Sequence, residues 1–144
     1  MLKRIVSLLA VLALLACLMP ALADDDLELQ PWMGLTPQEL AASLPDPIIE
    51  DDSVSTADYG VMAMADTAFG SINYMLISAE GYTFAGISCG MSLEQVTALL
   101  SAMNARTDDS EYASDGCLSA ATDSLTFSLY FTDGVLTNLC VMTD

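Results

Sequence analysis

Carboxylates and thiols are the side chains with which this sequence could do chemistry. The chain of 144 residues contains 20 Asp or Glu, four Cys and no His. Without an imidazole, the Ser–His and Cys–His nucleophile pairs cannot form. Two carboxylates could still hydrolyse a glycosidic bond, but no acid lies in an aromatic-rich segment that would form a sugar-binding cleft. We therefore expect no catalytic residues and no enzymatic activity.

The acids gather in three runs, and such runs can bind cations through their oxygens. They lie at residues 24–26, 50–52 and 108–111. None of the runs has the spacing of a twelve-residue calcium loop with its central Gly. Zinc would need His ligands or a C-x-x-C pair, and the chain has neither. We expect no metal site and no cofactor, because solvated loops account for these runs.

Residues 1–23 have the pattern of a signal peptide. Lys3 and Arg4 precede an apolar run over 5–19, and Ala21-Leu22-Ala23 forms a cleavage site of the A-x-A type. The run is shorter than the about 20 residues that a membrane span needs. We expect this segment to be removed and the remaining chain to be secreted. An alternative is lipid anchoring, because residues 14–17 resemble a bacterial lipobox that would make Cys17 a lipidated N-terminus.

The exported part of the chain is strongly acidic. Residues 24–144 contain all 20 acids and a single basic residue, Arg106, which gives a formal charge of −19. A single Arg cannot neutralise a series of phosphates, so we expect no nucleic acid and no anionic membrane surface as partners. The partner we expect is another protein, and charge would favour a cationic one.

Export would place Cys89, Cys117 and Cys140 in an oxidising compartment, where an odd number leaves one thiol unpaired. We expect Cys117 and Cys140 on the strands that flank residues 125–132. Those strands would be separated by about twice 4.8 Å, which is too far for a disulfide. Cys89 with Cys117 is the pair that we expect first, and the other pairings stay open.

Two segments with one shared pattern are expected to begin helices. Residues 34–44 and 90–100 each start with Gly and continue with an apolar residue, a Thr or Ser, and a Glu or Gln three positions later. The last two form a capping box, which predicts helix starts at Thr36 and Ser92. Pro37 suits the first helical position, because the missing N–H has no partner there.

The strand pattern also recurs. Residues 72–81 and 125–134 alternate in polarity and end in an acid-Gly pair, which indicates a hairpin turn. Residues 82–88 and 135–142 are expected as the return strands, and residues 45–55 as a loop. The recurring order predicts an α+β fold of two tandem helix-plus-antiparallel-meander repeats that share one core. The domains would be 1–23 for the signal peptide, 24–88 for the first repeat and 89–144 for the second.

This order resembles the β-lactamase-inhibitory-protein-like fold and its single-copy relatives, the BamE/SmpA/OmlA-type outer-membrane lipoprotein domains. The resemblance covers nearly all of residues 27–144. It rests on residues 34–44 and 90–100 and on the turns at Gly81 and Gly134. It implies a bacterial, non-enzymatic domain whose sheet face binds another protein.

Strand alternation then selects candidate contact residues. In residues 125–132, Phe127 and Leu129 would face the core, with Tyr130 on the opposite face. Alignment of residues 72–81 with 125–134 extends that outer face to the first repeat. The predicted function is an exported protein-binding or inhibitory module, and the alternative is an envelope-attached structural domain tethered through Cys17. The candidate partner-binding residues are Asn73, Met75, Ile77, Thr126, Ser128 and Tyr130.

Overall fold

The computed structural model describes residues 26–68, 70–108 and 116–143. The predicted signal peptide and the alternative anchor at Cys17 lie outside the described residues. The helices are α1 (Pro37–Ser43) and α2 (Leu93–Ala102), with a 3-10 turn at Gln30–Trp32. The strands are β1 (Leu27–Glu28), β2 (Ile48–Glu50), β3 (Ser53–Ser55), β4 (Val61–Ala65), β5 (Ile72–Ile77), β6 (Tyr82–Phe84), β7 (Ile87–Ser88), β8 (Arg106–Thr107), β9 (Cys117–Ala121), β10 (Leu125–Thr132) and β11 (Val135–Thr143).

Both predicted helix starts are confirmed. Thr36 Oγ1 accepts a hydrogen bond from the Glu39 N–H at 3.2 Å, and Glu39 Oε2 accepts one from the Thr36 N–H at 2.9 Å. Ser92 and Gln95 form the same reciprocal pair at 3.2 and 2.9 Å. Each capping box satisfies backbone N–H groups that a helix start would otherwise leave without partners.

Eight strands form one antiparallel sheet in the order β2-β3-β4-β5-β11-β10-β9-β8. Its centre is the pair of β5 with β11, where Ile77 lies opposite Leu139 and Tyr74 opposite Met142. A smaller sheet has the order β1-β6-β7, and β1 runs parallel to β6. The sheets and the two helices together position every side chain discussed below.

The predicted α+β fold of two tandem helix-plus-meander repeats is wrong. Strands make up 45% of the structure and helices 18%, so the fold is mostly β and built on one large sheet. Residues 82–88 were expected as a return strand beside residues 72–81. They instead form β6 and β7 of the small sheet, because both edges of β5 are already occupied by β4 and β11.

The two acid-Gly turns explain part of this difference. Asp133 and Gly134 have φ of 53° and 77°, so both adopt the left-handed conformation of a two-residue turn between β10 and β11. In the other pair only Gly81 has a positive φ, of 89°. Glu does not share the tolerance of Asp for this conformation. The chain therefore leaves β5 through a longer loop and enters the small sheet.

The hydrophobic core lies between the inner face of the large sheet and a second layer. Inward-facing residues of β4, β5, β11, β10 and β9 are opposite one another in register and all buried. The second layer contributes Leu40 from α1, Val96 and Leu100 from α2, and Phe84 from β6. Phe84 packs edge-to-face on Phe127, with ring centroids 6.1 Å apart. The inward-facing sheet residues are Val61, Ala63, Met75, Ile77, Val141, Leu139, Phe127, Leu129, Leu118 and Ala120.

The turn between β3 and β4 is held by one carboxylate, that of Asp58. It accepts hydrogen bonds from Thr56 Oγ1 at 2.6 Å, from the Gly60 N–H at 3.0 Å and from the hydroxyl of Tyr82. The Thr56 bond, followed by the Gly60 bond, lowers the pKa of Asp58. The carboxylate thereby links the large sheet to β6 of the small sheet.

Candidate functional site

Six side chains on β4, β5 and β11 lie together on the outer face of the large sheet. In antiparallel pairs, residues directly opposite one another share a face. Leu76 lies between Met62 and Cys140, and Tyr74 lies between Met64 and Met142. We call these six residues the apolar patch: Met62, Met64, Tyr74, Leu76, Cys140 and Met142.

The patch is open to solvent on the side away from the core. Met64 is 41% exposed and Met142 is 42% exposed, while the other four residues are half-buried beside their neighbours on the sheet. The helices bury Leu40, Val96 and Leu100 in the core on the opposite face. Neither helix within the described residues has the length and apolarity needed to cross a membrane.

A hydrogen bond fixes the aromatic ring at the centre of the patch. The Tyr74 hydroxyl donates to Cys140 Sγ at 3.3 Å. This bond, together with burial and the nearby Cys140 and Tyr130 groups, raises the pKa of Tyr74 to about 12. Tyr74 is therefore neutral at pH 7, so the centre of the patch carries no charge from this side chain.

The candidates on β10 lie on the outer face, as the alternation of that strand predicts. Thr126 is opposite Met142, Ser128 is opposite Cys140, and Tyr130 is opposite Asn138. Tyr130 is 44% exposed, whereas Phe127 and Leu129 are fully buried. These three candidates continue the patch into a surface of small polar groups and one phenol.

The candidates on β5 are placed differently, and the outer-face assignment of Met75 and Ile77 is wrong. Both side chains are fully buried on the inner face. Asn73 lies at a bulge between β4 and β5, where its Oδ1 accepts a hydrogen bond from the Asp66 N–H at 3.0 Å. The bulge adds one residue to β5, and a shift of one residue moves every following side chain to the other face.

The whole apolar patch was missed from the sequence, because both faces of β5 are apolar. Tyr74 and Leu76 alternate with Met75 and Ile77, so periodicity alone gives no preferred register. A clearer indication was available in β4, where Met62 and Met64 alternate with small residues. Large side chains on one face and small ones on the other distinguish the two sides of that strand.

Cys89, Cys117 and Cys140 are free thiols, so the expected Cys89–Cys117 disulfide is not formed. Cys89 is buried, and its Sγ donates to the Thr137 carbonyl at 3.3 Å. Burial, with a smaller effect of the Glu80 charge, raises the pKa of the Cys89 thiol. Cys89 therefore serves as a small buried residue, whereas Cys140 belongs to the apolar patch.

Exposed carboxylates lie at the turns along one end of the large sheet. The β2–β3, β4–β5 and β9–β10 turns all lie at the end of the strands where Met64, Tyr74 and Met142 are found. Arg106 is the only cation in the described part of the chain, and it lies on β8 at the far edge of the same sheet. We call the exposed acids at these turns the acidic end: Glu50, Asp51, Asp52, Asp66 and Asp123.

The acidic end does not assemble into a metal site. No three His, Cys, Asp or Glu side chains among the described residues are close enough together to hold a metal ion. Its carboxylates are instead distributed over separate turns. They give this end of the sheet a negative potential without defining a cage of ligands.

We compared the chain with known protein families, curated proteins and solved structures. No protein-family model, curated protein or solved structure matches this chain.

Proposed function

We propose that this chain is an exported, non-enzymatic protein-binding module that uses the outer face of its large sheet. The observation that supports this proposal is the apolar patch, in which Met64 and Met142 are each more than two-fifths exposed. Soluble proteins rarely expose large contiguous apolar patches, and where they do the patch often marks a protein-binding site. The solvent-facing position of six such side chains on three adjacent strands fits that interpretation.

The chemistry of the outer face is also typical of protein interfaces. Tyr and Met are enriched in the centres of such interfaces, whereas charged residues are depleted there. Methionine side chains are flexible and polarisable, so they can adapt to the shape of a partner. Thr126, Ser128 and Tyr130 would provide hydrogen-bonding groups beside the apolar centre. This division into an apolar centre and a polar flank supports binding to another protein.

The remaining parts of the proposal rest on the sequence. Export is proposed from the signal-peptide pattern of residues 1–23, and the proposed lack of catalysis rests on a chain without His, in which Ser–His and Cys–His nucleophile pairs cannot form. The formal charge of −19 over residues 24–144 disfavours nucleic acids and anionic membranes, which repel an acidic surface. Inhibition of a partner enzyme is one form that such binding could take.

Site-specific photo-crosslinking tests the proposal. A photoreactive amino acid at Met142 would probe the patch, and the same group at Ala98, exposed on α2, would serve as the matched control. Irradiation in the exported fraction of the native host should yield one protein adduct from position 142 and none from position 98. The adduct should weaken when Leu76→Ser is added, with an unchanged circular dichroism spectrum. Equal labelling from both positions, or an adduct insensitive to Leu76→Ser, would contradict the proposal.

A further inference from the structure

We infer that the partner docks an amphipathic helix on the apolar patch, with Lys or Arg side chains directed at the acidic end. This inference rests on the proposed function and specifies the chemistry of the partner. Three features of the outer face support it: the pairing of its strands, the width of the patch and the distribution of its charges.

The pairing of the strands excludes binding by strand addition at the patch. A peptide adds a strand only at an unpaired sheet edge. β4 lies between β3 and β5, β5 lies between β4 and β11, and β11 lies between β5 and β10. Their backbone groups are therefore already used within the sheet. A partner must be recognised by the side chains of the face.

The width of the patch matches one helix. Neighbouring strands lie about 4.8 Å apart, so β4 and β11 are separated by about 10 Å across β5. An α-helix with its side chains is about 10–12 Å in diameter. Along the strands, the Leu76 and Tyr74 rows are about 7 Å apart. A helix that presents apolar residues at i, i+3, i+4 and i+7 would cover both rows.

The acidic residues near the apolar patch indicate which charged residues the docked helix should carry beside its apolar ones. Glu50, Asp51 and Asp52 lie at the β2–β3 turn, and Asp66 follows β4 beside Met64. Their side chains are exposed. Lys or Arg residues on the flank of a docked helix would meet these carboxylates, whereas Asp or Glu residues would be repelled.

The same charges argue against a second copy of this chain as the occupant. Two copies that paired through the apolar patch would each bring five carboxylates of the acidic end to the interface. Each copy also carries a formal charge of −19 over residues 24–144. Like charges at an interface oppose association. The negative potential that opposes a second copy would attract a cationic partner.

Synthetic helical peptides test the inference directly. The basic probe is a fluorescent amphipathic peptide of Leu and Lys, and the acidic probe is the same peptide with Glu in place of Lys. Fluorescence anisotropy with the intact protein should show binding of the basic probe at least roughly tenfold tighter than of the acidic probe. Binding of the basic probe should weaken as salt is added.

Two charge-matched triple variants assign the effect to the acidic end. The first combines Glu50→Gln, Asp51→Asn and Asp52→Asn at the β2–β3 turn. The second removes the same number of charges elsewhere, through Asp46→Asn, Glu80→Gln and Asp133→Asn. The first variant should weaken binding of the basic probe roughly tenfold, while the second should change it about twofold or less, because only nearby charges act strongly in salt.

Other occupants give distinct outcomes. Equal affinity for the basic and acidic probes, with loss of both in Leu76→Ser, would overturn the charge preference and leave the proposed binding face intact. Failure of both probes to bind would overturn the helix inference, while the crosslinking test would still decide the proposed function. Sedimentation as a dimer that Leu76→Ser dissociates would identify a second copy as the occupant and also refute the inference.

Discussion

Met75 and Leu76 are adjacent residues of β5 on opposite faces of the sheet, and their replacement by Ala should have different consequences. Met75 is fully buried in the core, whereas Leu76 is half-buried on the outer face. Met75→Ala removes three heavy atoms from the core, which costs about 2.4 kcal/mol at about 0.8 kcal/mol per buried methylene-sized group. The enclosed cavity adds to this cost, so the total should lie within about 2–5 kcal/mol.

Leu76→Ala also removes three heavy atoms but should cost only about 1 kcal/mol, because part of that side chain is already hydrated and no enclosed cavity forms. Urea unfolding is the assay, and the fluorescence of Trp32 is a suitable probe. Trp32 is the single Trp of the chain and is buried in the core. The midpoint should fall much further for Met75→Ala than for Leu76→Ala, with an unchanged denaturant slope. Equal losses would refute the assigned register of β5 and with it the apolar patch.

Three further predictions concern stability and export. Thr36→Ala and Ser92→Ala should each lower the free energy of unfolding by about 1 kcal/mol in urea titrations, because each removes the cap of a helix. Asp58→Asn should destabilise the protein at pH 7. Since the folded-state pKa of Asp58 is lowered, its contribution is present above about pH 4 and disappears as the pH falls through the folded-state value. The difference in urea midpoint from the unmodified protein should therefore shrink at pH 3. Mass spectrometry of the exported protein should give Asp24 as the first residue, and a diacylated Cys17 would establish the lipoprotein alternative.

The sequence predicts those elements whose geometry depends on short-range chemistry. Thr36 and Ser92 define helix starts because a capping box needs only residues three positions apart. The hairpin of β10 and β11 follows from Asp133 and Gly134, which suit a two-residue turn. The faces of β10 were also predictable, because its residues alternate between apolar and polar.

Long-range pairing could not be predicted in the same way. The position of β5 beside β11 depends on contacts between residues more than 60 positions apart, such as Ile77 with Leu139. The bulge at Asn73 reverses the faces of β5. The pattern does not reveal it, because the residues on both faces of that strand are largely apolar. The short β2 and β3 contain acidic and Ser residues that are also typical of loops. The outer-face positions were therefore predicted correctly on β10 and wrongly for Met75 and Ile77 on β5.

Methionine methyl NMR is the measurement that tests the proposed binding face most directly. The protein would be labelled at the Met methyl carbons and titrated with the partner recovered by crosslinking at position 142. Met62, Met64 and Met142 should shift or broaden, because they line the patch. Met75, buried on the opposite face of the same sheet, should stay unchanged. Perturbations confined to Met33, Met91 and Met103, which pack against the core, would place the partner elsewhere and contradict the account.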